Sequence, residues 1–299
     1  MAIIFKNYPS VPGFTETFKE VRDFLIRINT DNLSTPNFVW GRWEWMFSLP
    51  YLQTEHLNKI GLWKDDDSIV ALATYESHLG DVYYCIDPRY SYLKSAILDY
   101  SLSNLRSINS VRILIPDNDF EMQHLAVIKN LLPTDEKEHV AILDIGKSPE
   151  YNLPLGFSIV SLSDEYDLKK YNRVLWRGFN HEGPEPTDDD AIESRRISLS
   201  GPDVILDLNI AIKAPSGEFV SYSGIWHRPN SKYALVEPVA TDPQYRKMGL
   251  GKAAVLEASR RCYLSGAEFA LVGSNQTFYY SIGFIPYSSE TWWKPTQIT

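Results

Sequence analysis

The chain has 299 residues, enough for two domains, and its 44% hydrophobic and 22% charged side chains let each half bury a core without disulfides. Its net charge of -9 argues against nucleic acid, whose phosphates call for a basic footprint, and mildly favours a cationic partner. No run approaches the roughly 20 apolar residues of a membrane span, residues 1–6 lack the cationic start of a signal peptide, and two distant cysteines, Cys85 and Cys262, stand in no metal-ligand spacing; the reading is a cytoplasmic, membrane-free protein with packed thiols and no metal.

In chain order, the first half opens with a helical pattern that puts Phe14, Phe18, Val21, Leu25 and Ile28 on one face. Phe38, Trp40, Trp43, Trp45 and Phe47 follow, an aromatic density that predicts core or interface rather than a ligand box. A polar, Pro-containing stretch, residues 146–154, then predicts a boundary, giving domains 1–147 and 148–299. The halves resemble distant copies. Asp87-Pro88-Arg89-Tyr90 is matched by Asp242-Pro243-Gln244-Tyr245, and Ile115-Pro116-Asp117-Asn118 by Val272-Gly273-Ser274-Asn275, in the same order.

In the second half, Ser163 is placed as the cap of a helix reaching Arg177, and Thr187 as the cap of another. Asp188, Asp189 and Asp190 then sit in a first helical turn, where carboxylates offset the dipole. Alternating residues from Val204 to Ile212 predict a strand, as do Phe219–Trp226 and Tyr233–Ala240, with turns at 215–217 and 228–231. A helix from about Gly249 to Tyr263, a buried strand Phe269–Val272, a short helix near Gln276–Ser281 and a strand region through Trp293 complete the pattern.

The chemistry concentrates at the end of the third of these strands, where Arg246-Lys247-Met248-Gly249-Leu250-Gly251-Lys252 leads into a helix. Two glycines admit positive φ and close approach, and successive amides at a helix start form an anion nest, with Arg246 and Lys252 adding charge. Neither a dinucleotide fingerprint nor a nucleotide P-loop fits, since the third glycine and the Gly-Lys-Ser/Thr run are absent.

Arg246 to Gly251 resembles the R/Q-x-x-G-x-G/A signature of the GCN5-related N-acetyltransferase (GNAT) superfamily. Asn275-Gln276-Thr277-Phe278-Tyr279-Tyr280-Ser281-Ile282-Gly283-Phe284 is similar to its downstream N…F-Y-x-x-x-G-F element. The resemblance covers about residues 155–299, and the duplication resembles tandem-domain members. It implies an α/β (α+β) fold of two tandem GNAT-like domains, each a mixed, splayed sheet flanked by helices. It further implies that acetyl-CoA enters the splay, pairing with Val239, Ala240 and Thr241 and resting its pyrophosphate on Arg246, Lys247, Met248, Gly249, Leu250, Gly251 and Lys252, with Asn275 fixing the nearby turn and reaching the cofactor. Direct acetyl transfer to a small amine or amino-terminal acceptor would then use Tyr279 as general acid, with Tyr280 second, Glu237 as base, and a backbone N–H near Val239 or Ala240 as oxyanion donor. His181 and Glu182 fall where such proteins shape the acceptor pocket. In the first half, Ser91-Tyr92-Leu93-Lys94 replaces the glycine turn, so the implied reading is a degenerate copy without a cradle. The alternatives are a non-catalytic acyl-CoA sensor and a protein-interaction tandem domain.

Overall fold

The computed structural model describes residues 3–108, 110–229 and 231–296. Residues 1 and 2 of the opening segment and Asn230 of the turn predicted at 228–231 lie outside the described residues. The chain forms two compact units, Met1–Val140 with Tyr287–Thr299, and Ala141–Pro286.

The first unit carries β1 (Ile3–Asn7), α1 (Glu16–Asn29), α2 (Trp40–Phe47), β2 (Gly61–Asp65), β3 (Ser68–Thr74), β4 (Asp81–Ile86), α3 (Lys94–Asn104), β5 (Arg112–Pro116), α4 (Phe120–Ile128) and most of β6 (Leu131–Asp144). The second carries β7 (Ser158–Ser161), α5 (Leu168–Gly178), α6 (Asp189–Ser198), β8 (Ile210–Lys213), β9 (Phe219–Trp226), β10 (Tyr233–Thr241), α7 (Leu250–Leu264), β11 (Phe269–Val272) and α8 (Thr277–Ser281), and the chain ends with β12 (Ile285–Pro295). Both units therefore repeat one order of strands and helices.

Their sheets repeat too. The first runs β1-β2-β3-β4-β5-β12, with β4 and β5 parallel and the other described pairs antiparallel. The second runs β7-β8-β9-β10-β11-β6, with β10 and β11 parallel and the rest antiparallel. The last strand of each repeat completes the other repeat's sheet. Residues Ala141–Asp144 of β6 pair with β11, and Glu290–Trp293 of β12 pair with β5. The units thus divide differently from the boundary read at 147/148: the chain changes unit within a strand, because strand pairing holds these residues more firmly than loop composition marks them.

Apolar periodicity builds the cores. Phe18, Val21, Leu25 and Ile28 are buried along α1, which Thr15 caps by accepting from the Phe18 N–H; Phe14 lies just before the helix. Phe38, Trp40 and Trp43 are core, with Trp43 stacked on Phe18 at 5.9 Å. In the second unit α7 packs Ala253, Ala254, Ala258 and Cys262 against Ile210, Ile212 and Ala234 of the sheet. Both cysteines are free and buried, and burial pushes their thiols up, which leaves them as small hydrophobes.

Three local readings change. Asp167, not Ser163, caps α5, accepting from the Lys169 and Lys170 amides, while Asp164 closes a turn onto Ser161. Asp188, one residue past Thr187, caps α6 through the Ala191 amide. The strand read from Val204 shrinks to Ile210–Lys213, because Leu206–Leu208 winds as a 3-10 turn; Leu208 reaches the core without strand pairing. In each helix a carboxylate nearer the first turn takes the orphan amides, which a hydroxyl also could have done.

Candidate active site

The site begins with a defect in β10. Val236 faces Ile225 and Val239 faces Ser223, so Glu237 and Pro238, joined by a cis peptide bond, together oppose Gly224 alone. This is a β-bulge. A Cβ at Gly224 would sit 2.7 Å from the Glu237 carbonyl oxygen and 3.0 Å from Pro238 Cδ, so the bulge requires glycine beside it. On its other edge β10 pairs with β11 only through Tyr233–Leu235. Past Leu235 the two strands part, and Val239, Ala240 and Thr241 keep pairing with β9 alone. Their outward backbone groups can therefore take an extended ligand as an added strand.

Below the bulge the chain turns into α7. Lys247 has φ 63° and Gly249 φ 79°, two left-handed residues in a three-residue span. Space around a Cβ at Gly249 is open, so its glycine serves the backbone conformation rather than crowding. The Ala253 N–H bonds to the Gly249 carbonyl, which leaves the amides of Leu250, Gly251 and Lys252 ahead of the first helical acceptor. No side chain caps this helix and no acid occupies its first turn. These are the properties of an anion seat, and a pyrophosphate fits them. Gly251 brings the helix close to the strand end: its Cβ would meet Thr241 Oγ1 at 3.1 Å and the Phe278 ring at 3.2 Å. Met248 is exposed at the turn, and Lys252 is half-buried as the third residue of the helix.

Arg246 proves to be a brace. Its Nε donates to the Thr241 carbonyl at 3.1 Å, and its Nη2 to the Gly178 carbonyl at 2.8 Å and Asn180 Oδ1 at 2.9 Å. It therefore ties the cradle to the end of α5. A residue the sequence reading passed over does the same work from beneath. Asp242 is fully buried, accepts from the Gln244 amide and pairs with Arg177 of α5, with Arg173 3.5 Å away. The first unit repeats the device: buried Asp87 accepts from Arg27 of α1 at 2.9 Å and from the Arg89 amide. The Asp-Pro match between the halves carried this signal; the arginine, distant in sequence, did not.

Glu237 lies on the bulge and Tyr279 on α8. Tyr279 is buried against Phe278 and Phe284, with ring centroids 5.0 and 5.6 Å away. Burial, and next the Glu237 charge, push its phenol well above the ordinary value, so the hydroxyl keeps its proton. The two candidate catalytic groups thus sense each other electrostatically. Tyr280 is half-buried beside it. The turn bond read for Asn275 is made instead by Ser274, whose Oγ accepts from the Gln276 amide; the Asn275 side chain is exposed at that turn. His181 and Glu182 are exposed on the segment between α5 and α6. The His181 ring stacks on Trp176 at 4.4 Å, one residue beyond the Asn180 that holds Arg246.

Residues 169–284 match the family model described as the acetyltransferase (GNAT) family. Among curated protein sequences none matches. A tandem GNAT protein from the clavulanic acid biosynthesis pathway superposes over 98% of this chain and 98% of its own, with TM-score 0.61 and 12% identity. A GCN5-related N-acetyltransferase from Sphaerobacter thermophilus does so over 98% and 95%, with TM-score 0.58 and 13% identity. The N-myristoyltransferase of Saccharomyces cerevisiae, holding myristoyl-CoA, covers 98% of this chain with 78% of its own, at TM-score 0.53 and 9% identity. At such identities the likeness is one of fold, and the family match supplies the chemistry. Among the described residues no helix is long and apolar enough to cross a membrane. Residues 169–284 thus carry a domain of the acetyltransferase (GNAT) family, whose chemistry is acyl transfer from an acyl-CoA, and the chain as a whole has the fold of tandem GNAT proteins.

Proposed function

We propose that the second unit transfers an acetyl group from acetyl-CoA directly to the amine of a small molecule or an amino terminus. What supports this reading is a buried Tyr279 phenol under the influence of the Glu237 charge, in a unit whose strand opening leads to an uncapped helix start. The pantetheine arm lies along Val239–Thr241, and the pyrophosphate rests on the Lys247–Lys252 turn. Glu237 takes a proton from the acceptor ammonium, directly or through one water. The free amine attacks the thioester carbon, and the oxyanion takes a hydrogen bond from a β10 amide near Val239 or Ala240. As the C–S bond breaks, Tyr279 protonates the CoA thiolate; the proton lost from the new amide nitrogen restores the phenol. The cysteines take no part, since both are buried with raised pKa.

Tyr279→Phe and Glu237→Gln test the assignment. Each is expected to lower kcat by about 10²–10⁴-fold while acetyl-CoA affinity stays unchanged, read by thiol release with a panel of amines. Full turnover in the double variant would instead favour a different catalytic set, and acetyl-CoA binding without turnover by the wild type a non-catalytic acyl-CoA sensor.

A further inference from the structure

The first unit opens its sheet where the second does. β4 and β5 pair at Asp81–Arg112 and Val82–Ile113 and then part. A cavity of about 230 Å³ fills the parting, walled by Tyr83, Tyr84 and Ile86 from β4 and by Leu114 and Pro116 from β5. No anion seat adjoins it. From Asp87 the chain winds through a 3-10 turn straight into α3 without a left-handed residue, and Leu93 is buried where the second unit has its open turn. Lys94, at the start of α3, is already committed to Asp119 at 2.7 Å and Glu121 at 2.9 Å.

One carboxyl faces this cavity without a counter-ion. Glu290, on β12 opposite Pro116, lines the cavity and is only 8% exposed. Its Oε2 has the Asn37 amide at 3.5 Å, and its Oε1 makes no hydrogen bond among the described residues. The nearby cation, Arg42, is taken: it bonds to both oxygens of Glu76 and to Glu138 at 3.0 Å. Glu138, which shares Arg42 with Glu76, adds negative charge around Glu290; Asp117 adds to it but is itself paired with Lys137 at 2.7 Å, and Asp119, with Tyr84 donating to it, is matched by Lys94. Phe38 and Tyr83, with ring centroids 5.2 Å apart, give the cavity an aromatic wall. A buried carboxylate with surplus acid around it favours a cation, while the Phe38 and Tyr83 rings, which already carry the Arg42 guanidinium at 5.8 and 4.7 Å, offer apolar wall for the body of the guest.

We propose that this cavity binds a small primary amine carried on an apolar or aromatic body, its ammonium group received by the Glu290 carboxylate. The site lies wholly within the first unit and does not depend on the acetyl-transfer reading of the second. Burial first, and the Glu138 and Asp117 charges with it, raise the Glu290 carboxyl to about 7, against the opposing pull of Asn37 and Arg42. An arriving ammonium stabilises the ionised form, so binding near neutrality releases a proton, and affinity falls as pH drops below about 7.

The test is calorimetry on the full chain without acetyl-CoA, using phenethylamine, 2-phenylethanol and 3-phenylpropionate as probes. The amine alone should bind, at one site, in wild type and equally in Glu237→Gln. Glu290→Gln should weaken it at least about tenfold, as loss of a charged hydrogen-bond partner does. Ser91→Trp, which fills the cavity from its rim, should abolish it in a chain whose thermal unfolding is unchanged. At pH 7 the heat should vary with buffer ionisation enthalpy, and at pH 9 it should not. Equal affinity in Glu290→Gln, loss in Glu237→Gln, tight binding of the alcohol or acid, or no amine binding would each overturn the proposal.

Discussion

At Tyr279 the environment decides the chemistry. A phenol buried against Phe278 and Phe284 and subject to the Glu237 charge holds its proton beyond the ordinary tyrosine range. The sign follows directly: the acid form is the active one and its pKa is raised. The pH profile of kcat should therefore show no alkaline fall attributable to Tyr279 up to about pH 10. A fall centred between pH 8 and 9 that Tyr279→Phe removes would contradict it. Residues such as Gly249 and Gly251 were legible in sequence because their role is local: a positive φ and a close approach are properties of the turn itself. The role of Arg246 was not, since its partners, Gly178 and Asn180, sit on a helix end far away in the chain. Asn275 and Ser274 show the same limit at shorter range, as either polar side chain could have closed that turn.

Among the elements, α7 joins the cradle to the core. Its buried Glu257 is held by Arg260 at 2.8 Å, Arg261 at 3.0 Å and the Tyr151 hydroxyl at 2.6 Å. Burial works to raise that carboxyl, but Arg260, Tyr151 and Arg261 prevail and lower it from 4.5 to about 2. A depressed carboxylate stabilises the fold above its unfolded pKa and loses that contribution as pH falls through the folded one. The second unit should thus lose up to about 3 kcal/mol between pH 4.5 and pH 2. Urea unfolding of Glu257→Gln should show a flatter acid limb than wild type; parallel limbs would remove the assignment. Strands Phe219–Trp226 and Phe269–Val272 agree with the sequence reading because their apolar runs are bounded by turn residues on both sides. The Val204–Ile212 alternation misled because a 3-10 turn can bury alternate residues as a strand does.

Over the whole molecule, the duplication seen in Asp-Pro motifs extends to element order, sheet order and the buried Asp–Arg latch. The exchange of last strands was not legible, because a strand's sequence carries its burial pattern and not the identity of its partner. It has a measurable consequence. Trp292 and Trp293 of β12 are buried in the first unit, 4% and 7% exposed. Ending the chain at Pro286 removes both, at about 3–5 kcal/mol each, against a typical domain stability of about 5–15 kcal/mol. Limited proteolysis should then digest Met1–Val140 while Ala141–Pro286, which keeps its own strands, resists. Equal resistance of both segments would show that β12 is dispensable.

The most direct measurement is a calorimetric titration of the whole chain with acetyl-CoA, alongside Gly249→Asp. The side chain at φ 79° and its negative charge both oppose a pyrophosphate at this turn. The prediction is one site per chain in wild type and none in the variant, with both proteins folded. Two sites would show that the first unit holds a CoA seat despite its closed turn, and no binding to the folded wild type would contradict the cradle itself.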